Sequence, residues 1–234
     1  MKNNLLLPAI ILFTLCWLGS CQREDQNIGS SQKPDLPGTP FDYSLHMSPV
    51  FTAFPIAIEV IDSSFIQNNF FGFGFNFRNP QITNAGATLG RVLFYDPQLS
   101  LNNSTACASC HRQELAFSDG QASSKGFAGA TTPRNSMAII NTGFNNNLFW
   151  DSRESSVLGL VTRPIQNHIE MGVEEMRRLE VKLAKVDYYP ALFLAAFGES
   201  RVTEDRIASA LSQFVSAITT SNSRFDLEAG NNFT

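Results

Sequence analysis

The residues most able to do chemistry are Cys107, Cys110 and His111, in the run Cys107-Ala108-Ser109-Cys110-His111. C-x-x-C-H is the spacing that attaches a c-type haem. Thiols three positions apart can both reach the vinyl groups on one porphyrin edge, and the adjacent His then supplies an axial ligand to the iron. The same residues also fit a disulfide redox pair, half a zinc site, or chance. A redox pair asks for a thioredoxin-like α/β pattern, which the sequence lacks. A zinc site asks for a second Cys/His pair nearby, which is also lacking. The motif occurs once, so one covalent haem c is expected. The other axial position decides what it does. Met137, Met171, Met176 and His168 are the candidates to fill it and make an electron carrier. Left open, it would let a small molecule bind and react.

The elements that must position this motif read as helices, so the fold class is all-α. Thr83 is placed to cap a helix through ATLGRVLFYD, with Leu89, Val92 and Leu93 on one face. Gly172 is followed by VEEMRRLEVKLAKV, where Val173, Met176, Leu179, Leu183 and Val186 recur at helical spacing. PALFLAAFG gives a short helix closed by Gly198. Thr203-Glu204-Asp205 opens another, with Ile207, Leu211, Phe214, Val215 and Ile218 as its apolar stripe. Between them, residues 100–147 are rich in Asn, Ser, Gly and Thr. So long a loop is costly inside a compact domain unless something packs within it, and a large cofactor is the natural candidate.

Composition narrows the class further. Hydrophobic residues make up 43% of the 234, which is neither a disordered chain nor one membrane-embedded throughout. The formal charge of −4 argues against a nucleic-acid partner. Lys2, an apolar run from Leu5 to Leu18 and Leu18-Gly19-Ser20-Cys21 read as an export signal over residues 1–20, with Cys21 lipidated as in a lipobox. Residues 21–40 suit a solvated tether. Residues 41–78 form a Phe-rich extension, whose period-two stretch Phe71 to Phe77 suggests a strand or an extended arm. His46 and Met47 read as surface or packing residues. The expected location is the periplasm or cell envelope, with membrane contact through the lipid only.

LGRVLFYDPQLSLNNSTACASCHRQELAFSDG, TPRNSMAIINTGFNNNLFWDSRESS and PIQNHIEMG, in that order, resemble the bacterial di-haem cytochrome c peroxidase family, which includes the MauG-type enzymes. The resemblance runs from about Asn79 to Asp226. It covers the N-terminal, peroxidatic haem domain, here 79–226. It leaves 227–234 as a tail that stops before a second haem domain. It implies a cytochrome c-like fold enclosing one haem, with Cys107 and Cys110 as thioether positions and His111 as proximal ligand. Glu170 matches the distal catalytic carboxylate and Trp150 the Trp between the two haems. Asn135 matches a ligand of a calcium ion at the domain interface. Two family features are replaced. Leu160 stands where the family has a distal Gln, and Phe127 where it has the loop His that is the removable sixth ligand. The haem is therefore expected to be open to ligands at rest.

The implied activity is reduction of hydrogen peroxide to water with electrons from a cytochrome or a second haem domain. The alternatives are a mono-haem electron-transfer cytochrome c and a MauG-like oxidase. The chemistry stands without the analogy. A carboxylate beside an open iron can take a proton from the near peroxide oxygen and deliver it to the far one. The competing reading of Glu170 is an acid at the start of the helix after Gly172. Trp150 reads equally as a buried aromatic anchor, Asp151 and Arg153 as a local ion pair, and His168 as a surface or packing residue on an extended loop.

Overall fold

The computed structural model describes residues 33–36 and 82–218, which lie in the second of two compact units, Lys33–Thr234. The signal, Cys21, His46, Met47, the Phe-rich extension, the tail and most of the tether fall outside the described residues.

Among the described residues seven helices appear in chain order: α1 (Asn84–Tyr95), α2 (Cys107–Cys110), α3 (Val157–Leu160), α4 (Arg163–Gln166), α5 (Met176–Leu183), α6 (Tyr189–Phe197) and α7 (Glu204–Ala217). Short 3-10 turns at Pro97–Leu99, Gln113–Leu115 and Thr142–Phe144 connect them. The described residues form no strands, only isolated bridges at Arg112–Ser118, Lys125–Thr131 and Leu148–Glu154. The described domain is thus helical, and none of its helices is long and apolar enough to cross a membrane.

The scaffold is α1 laid against α7, with α6 on the flank of α1. Leu89, Leu93, Ile207, Leu211 and Phe214 are fully buried between them. Each contributes about 1.5–3 kcal/mol through removal from water. The approach is close because Gly90 has no Cβ; one there would overlap the Ala210 carbonyl. Thr83 caps α1, its Oγ1 accepting from the Gly86 amide at 3.0 Å. Gln213 of α7 reaches back so that its Oε1 accepts from the Thr83 amide at 2.9 Å, which ties the start of α1 to α7. Thr203 caps α7, and Gly198, at φ +75°, ends α6.

The expected helix after Gly172 begins later than its apolar pattern suggests. Val173 is buried, but its amide donates to the Ile165 carbonyl at 3.0 Å and holds the chain in a tertiary contact. Helix α5 starts only at Met176, after Glu175 at the N-cap.

Residues 100–147 run without a long helix, as expected, and so do the next nine; they are nonetheless closely tied by side chain-to-backbone hydrogen bonds. Ser100 Oγ accepts the amides of Ser104 and Thr105, both at 3.1 Å. Asn102 Nδ2 and Ser104 Oγ both donate to the Phe127 carbonyl at 3.0 Å. Among the described residues, the non-glycine residues with left-handed backbone all fall in this stretch: Asn103, Ala116, Phe117, Asn141, Phe149 and Ser152.

Candidate haem site

The loop region and the inner faces of the helices enclose a cavity of about 450 Å³, the size range of small-molecule and cofactor sites. Its wall includes Cys107, Cys110, His111, Asn135, Met137, Trp150, Leu160, Glu170 and Met171. Positions chosen from the sequence across more than sixty residues therefore meet around one space.

Helix α2 is a single turn packed on α1, and it carries both thiols. Its start is pinned by Ser109, whose Oγ accepts the Ala106 amide at 3.0 Å. Both cysteines are free in the chain. Burial, and next the neighbouring Cys110, push the Cys107 thiol up to about 12. Burial likewise raises Cys110. A redox or zinc-binding C-x-x-C depends on a stabilised thiolate. Neither thiol is activated as the nucleophile of a redox C-x-x-C would be.

His111 follows at the end of α2. Its Nδ1 lies 2.7 Å from the Phe117 carbonyl and 3.2 Å from Ser136 Oγ. A carbonyl only accepts, so Nδ1 carries the proton and Nε2 keeps its lone pair for a metal. Burial lowers the His111 pKa, which favours the neutral, ligating imidazole. The carbonyl is aimed by strain, because Ala116 and Phe117 have φ of +56° and +59°. Such backbone costs about 1–3 kcal/mol per residue and persists where the surroundings enforce it. Ser136 also donates to the Cys110 carbonyl at 2.6 Å, joining the loop 132–137 to the motif. The donor set, the proton on Nδ1 and the enclosed space all fit a haem held by Cys107 and Cys110, with His111 Nε2 toward its iron.

Glu170 lies in a tight turn, not on an extended loop. The Asn167 carbonyl accepts the amides of Glu170, Met171 and Gly172, at 3.2, 3.2 and 2.8 Å. Asn167 Nδ2 donates to Glu170 Oε1 at 3.0 Å. The helix-start reading of Glu170 fails, since α5 begins six residues later. Burial raises the carboxyl pKa, with Arg153 opposing. Asn167, which holds the Glu170 carboxyl in place, was missed in the sequence; an Asn three positions before the Glu, able to close an Asx-type turn, was the available signal.

The other candidates divide cleanly. Met137 and Met171 line the cavity, whereas Met176 packs in the core and His168 is exposed. Leu160, read from the resemblance as replacing the family's Gln, lines the wall. Phe127 places its ring over Gly172, and its amide donates to the Glu170 carbonyl at 3.0 Å. Trp150 is 59% exposed at the cavity's edge, which rules out a buried anchor. Its Nε1 donates to the Asn135 carbonyl at 3.2 Å. Beside it Asp151 pairs with both Arg134 and Arg153 at 2.8 Å, and Arg153 stacks on the Phe149 ring at 3.5 Å. The hydrogen bond from Arg134, foremost, holds the Asp151 carboxyl down at about 2. Asn135 itself is exposed, and no cluster of three His, Cys, Asp or Glu side chains gathers among the described residues.

Fold and donor set together define a helical domain of the c-type haem class. The chain belongs to the di-haem cytochrome c peroxidase family, whose model matches residues 84–232. It is 34% identical over 140 residues to the cytochrome c551 peroxidase of Nitrosomonas europaea, covering 60% of this chain and 42% of that protein. It is 30% identical over 148 residues to the methylamine utilization protein MauG of Methylophilus methylotrophus, covering 63% and 44%. Among solved structures, a MauG-like protein associated with microbial copper homeostasis superposes with a TM-score of 0.60 at 32% identity, over 68% of this chain and 48% of that one. The diheme peroxidase BthA of Burkholderia thailandensis shares the fold, with a TM-score of 0.54 at 22% identity, over 68% and 45%. The chain spans less than half the length of these relatives.

Proposed function

We propose that this domain reduces hydrogen peroxide to water at a single covalent haem c, with electrons from a cytochrome or a second haem domain. The observation that carries the reading is Glu170, a carboxyl with a raised pKa in the same cavity wall as Cys107, Cys110 and His111. Haem c supplies a ferric iron able to bind peroxide. His111 would hold that iron through Nε2, with Nδ1 kept protonated by the Phe117 carbonyl. Glu170 takes the proton from the near peroxide oxygen and returns it to the far one, so that the departing oxygen leaves as water. A carboxyl with a raised pKa suits both halves of that transfer. Asn167 fixes Glu170 Oε1, and Leu160 adds an apolar side chain to the same wall.

Trp150, exposed at the edge of the cavity, is the proposed point of electron entry from the partner. A calcium ion at Asn135 would draw its remaining ligands from carbonyls or from that partner. Export to the periplasm and lipidation at Cys21 complete the proposal, on the strength of the leader pattern alone.

The test is Glu170→Gln in the haem-loaded protein. Haem content should be unchanged while peroxide cleavage slows by at least ~10²-fold, the lower range for loss of a general acid–base. An unchanged rate would overturn the role. Met137 and Met171 in the wall support a second reading, a low-spin electron carrier. A high-spin ferric spectrum that shifts promptly with cyanide supports the enzyme, and a stable low-spin one the carrier.

A further inference from the structure

A polar cluster that the cavity chemistry leaves unused lies beneath the turn Pro97–Leu99. Asp96 is fully buried, and its Oδ1 accepts the Gln98 amide at 2.8 Å. Its Oδ2 accepts two phenols, Tyr188 Oη at 2.6 Å and Tyr189 Oη at 2.5 Å. The two rings stand 4.7 Å apart, centroid to centroid, tilted by 48°. Tyr189 is fully buried and within electrostatic reach of Cys107, while Tyr188 is half-buried and meets solvent. Lys182 Nζ, 2.7 Å from the Ser100 carbonyl, lies within electrostatic reach of the carboxylate. None of these groups lines the cavity. Oδ1 anchors the turn through the Gln98 amide, while both phenols meet on Oδ2. A second phenol on the same oxygen, in ring contact with the first and leading outward, supplies what electron transfer through tyrosine needs: a base for each phenolic proton and a short path between rings.

We propose that Tyr189, Tyr188 and Asp96 form a redox-active pair that carries single electrons inward from a small phenolic or enediol reductant at the surface to the haem site beside Cys107. The proposal rests on the haem reading of the cavity. The oxidant is the haem site after peroxide has withdrawn electrons from it. Tyr189 gives it one electron, and the Tyr189 phenolic proton moves to Asp96 Oδ2. Tyr188 then gives an electron to the Tyr189 radical. Asp96 returns its proton to Tyr189 and receives the one from Tyr188. The radical now sits on Tyr188. The external reductant supplies one electron, Asp96 returns the proton, and both phenols and the carboxylate are restored. A carboxylate that accepts the phenolic proton lowers the barrier, because no charged phenol radical has to form in a buried site.

The experiment mixes the haem-loaded protein with peroxide in the absence of donor, follows the haem optically and freezes samples for electron paramagnetic resonance. The wild type should give a tyrosyl signal. Tyr189→Phe should reduce that signal and prolong the oxidised haem, each by about tenfold, equivalent to ~1.4 kcal/mol of barrier. Tyr188→Phe should keep a radical but slow its quenching by ascorbate about tenfold. Tyr95→Phe is the control, since Tyr95 Oη donates to the Gln113 amide oxygen and not to a carboxylate, and should change neither. Circular dichroism confirms that each variant folds. If the haem reacts and the tyrosyl signal is absent, or equal in Tyr189→Phe, the pair is refuted while the peroxidase reading stands. If the haem does not react with peroxide, that reading fails instead. A photogenerated one-electron oxidant then tests the pair directly: a signal lost in Tyr189→Phe supports it, and an unchanged one overturns it.

Discussion

The α1–α7 scaffold and the loop wall of residues 100–172 hold their shape by different means. The scaffold is apolar, with its helices brought so near at Gly90 that no side chain fits. The wall is fixed largely by hydroxyls and amides bonded to backbone, from Ser100, Asn102, Ser136 and Asn167, and by residues in left-handed backbone. Burial of apolar surface is non-directional and makes a stable frame. Hydrogen bonds contribute about 1 kcal/mol each but fix angles, which is what a reactive site requires. In this domain most of the stability belongs to the frame and most of the geometry to the wall.

The largest expected effect separates the two. Replacing Cys107 and Cys110 by Ala should abolish covalent haem, read by pyridine haemochrome against protein mass. Amide exchange should then rise through residues 100–172 while α1 and α7 stay protected. Equal loss in both regions would show that the frame also depends on the cofactor. A next, smaller effect strikes the frame alone. Gly90→Ala puts a Cβ into the Ala210 carbonyl, and overpacking of this kind costs about 1–3 kcal/mol, measured as a lower denaturation midpoint. Haem attachment to the surviving folded fraction should remain complete.

Smaller again is Asn167→Ala, which removes the donor to Glu170 Oε1. Stability should fall by about 1 kcal/mol. Losing a hydrogen bond to the charged form should push the Glu170 pKa higher still and shift the pH profile of peroxide cleavage upward. The smallest effect is a pH dependence of stability. Glu170 keeps its proton in the fold at pH values where the unfolded chain has lost it. Its contribution is therefore full below the ordinary carboxylate pKa and is lost as pH rises through the raised one. The stability of the wild type relative to Glu170→Gln should decline across that window, and a flat difference would place Glu170 in solvent.

The same division explains what the sequence revealed. Helices α1, α6 and α7 were legible because apolar periodicity, caps at Thr83 and Thr203, and Gly198 all agree. The start of α5 was not, because Val173 is buried by a backbone bond to Ile165 and not by helical packing. The grouping of Cys107, Cys110 and His111 at one cavity wall was legible in their spacing. Its supports were not. Ser136 and Asn167 act through single hydrogen bonds that leave no period, and the left-handed backbone at Ala116 and Phe117 runs against local preference. Trp150 was legible as a residue, but its exposure depends on where the loop emerges.

The contact between residues 126–127 and 169–172 bears on engineering. Gly126 leaves no room for a Cβ against the Ile169 carbonyl, the Phe127 amide bonds the Glu170 carbonyl, and the Phe127 ring covers Gly172. The two loops are mechanically one piece. Phe127→His would not by itself install a gating ligand, because the new ring would inherit a seat on Gly172. A designer who wanted a redox-gated variant would have to free the whole hairpin of contacts, and the carboxyl of Glu170 would travel with it.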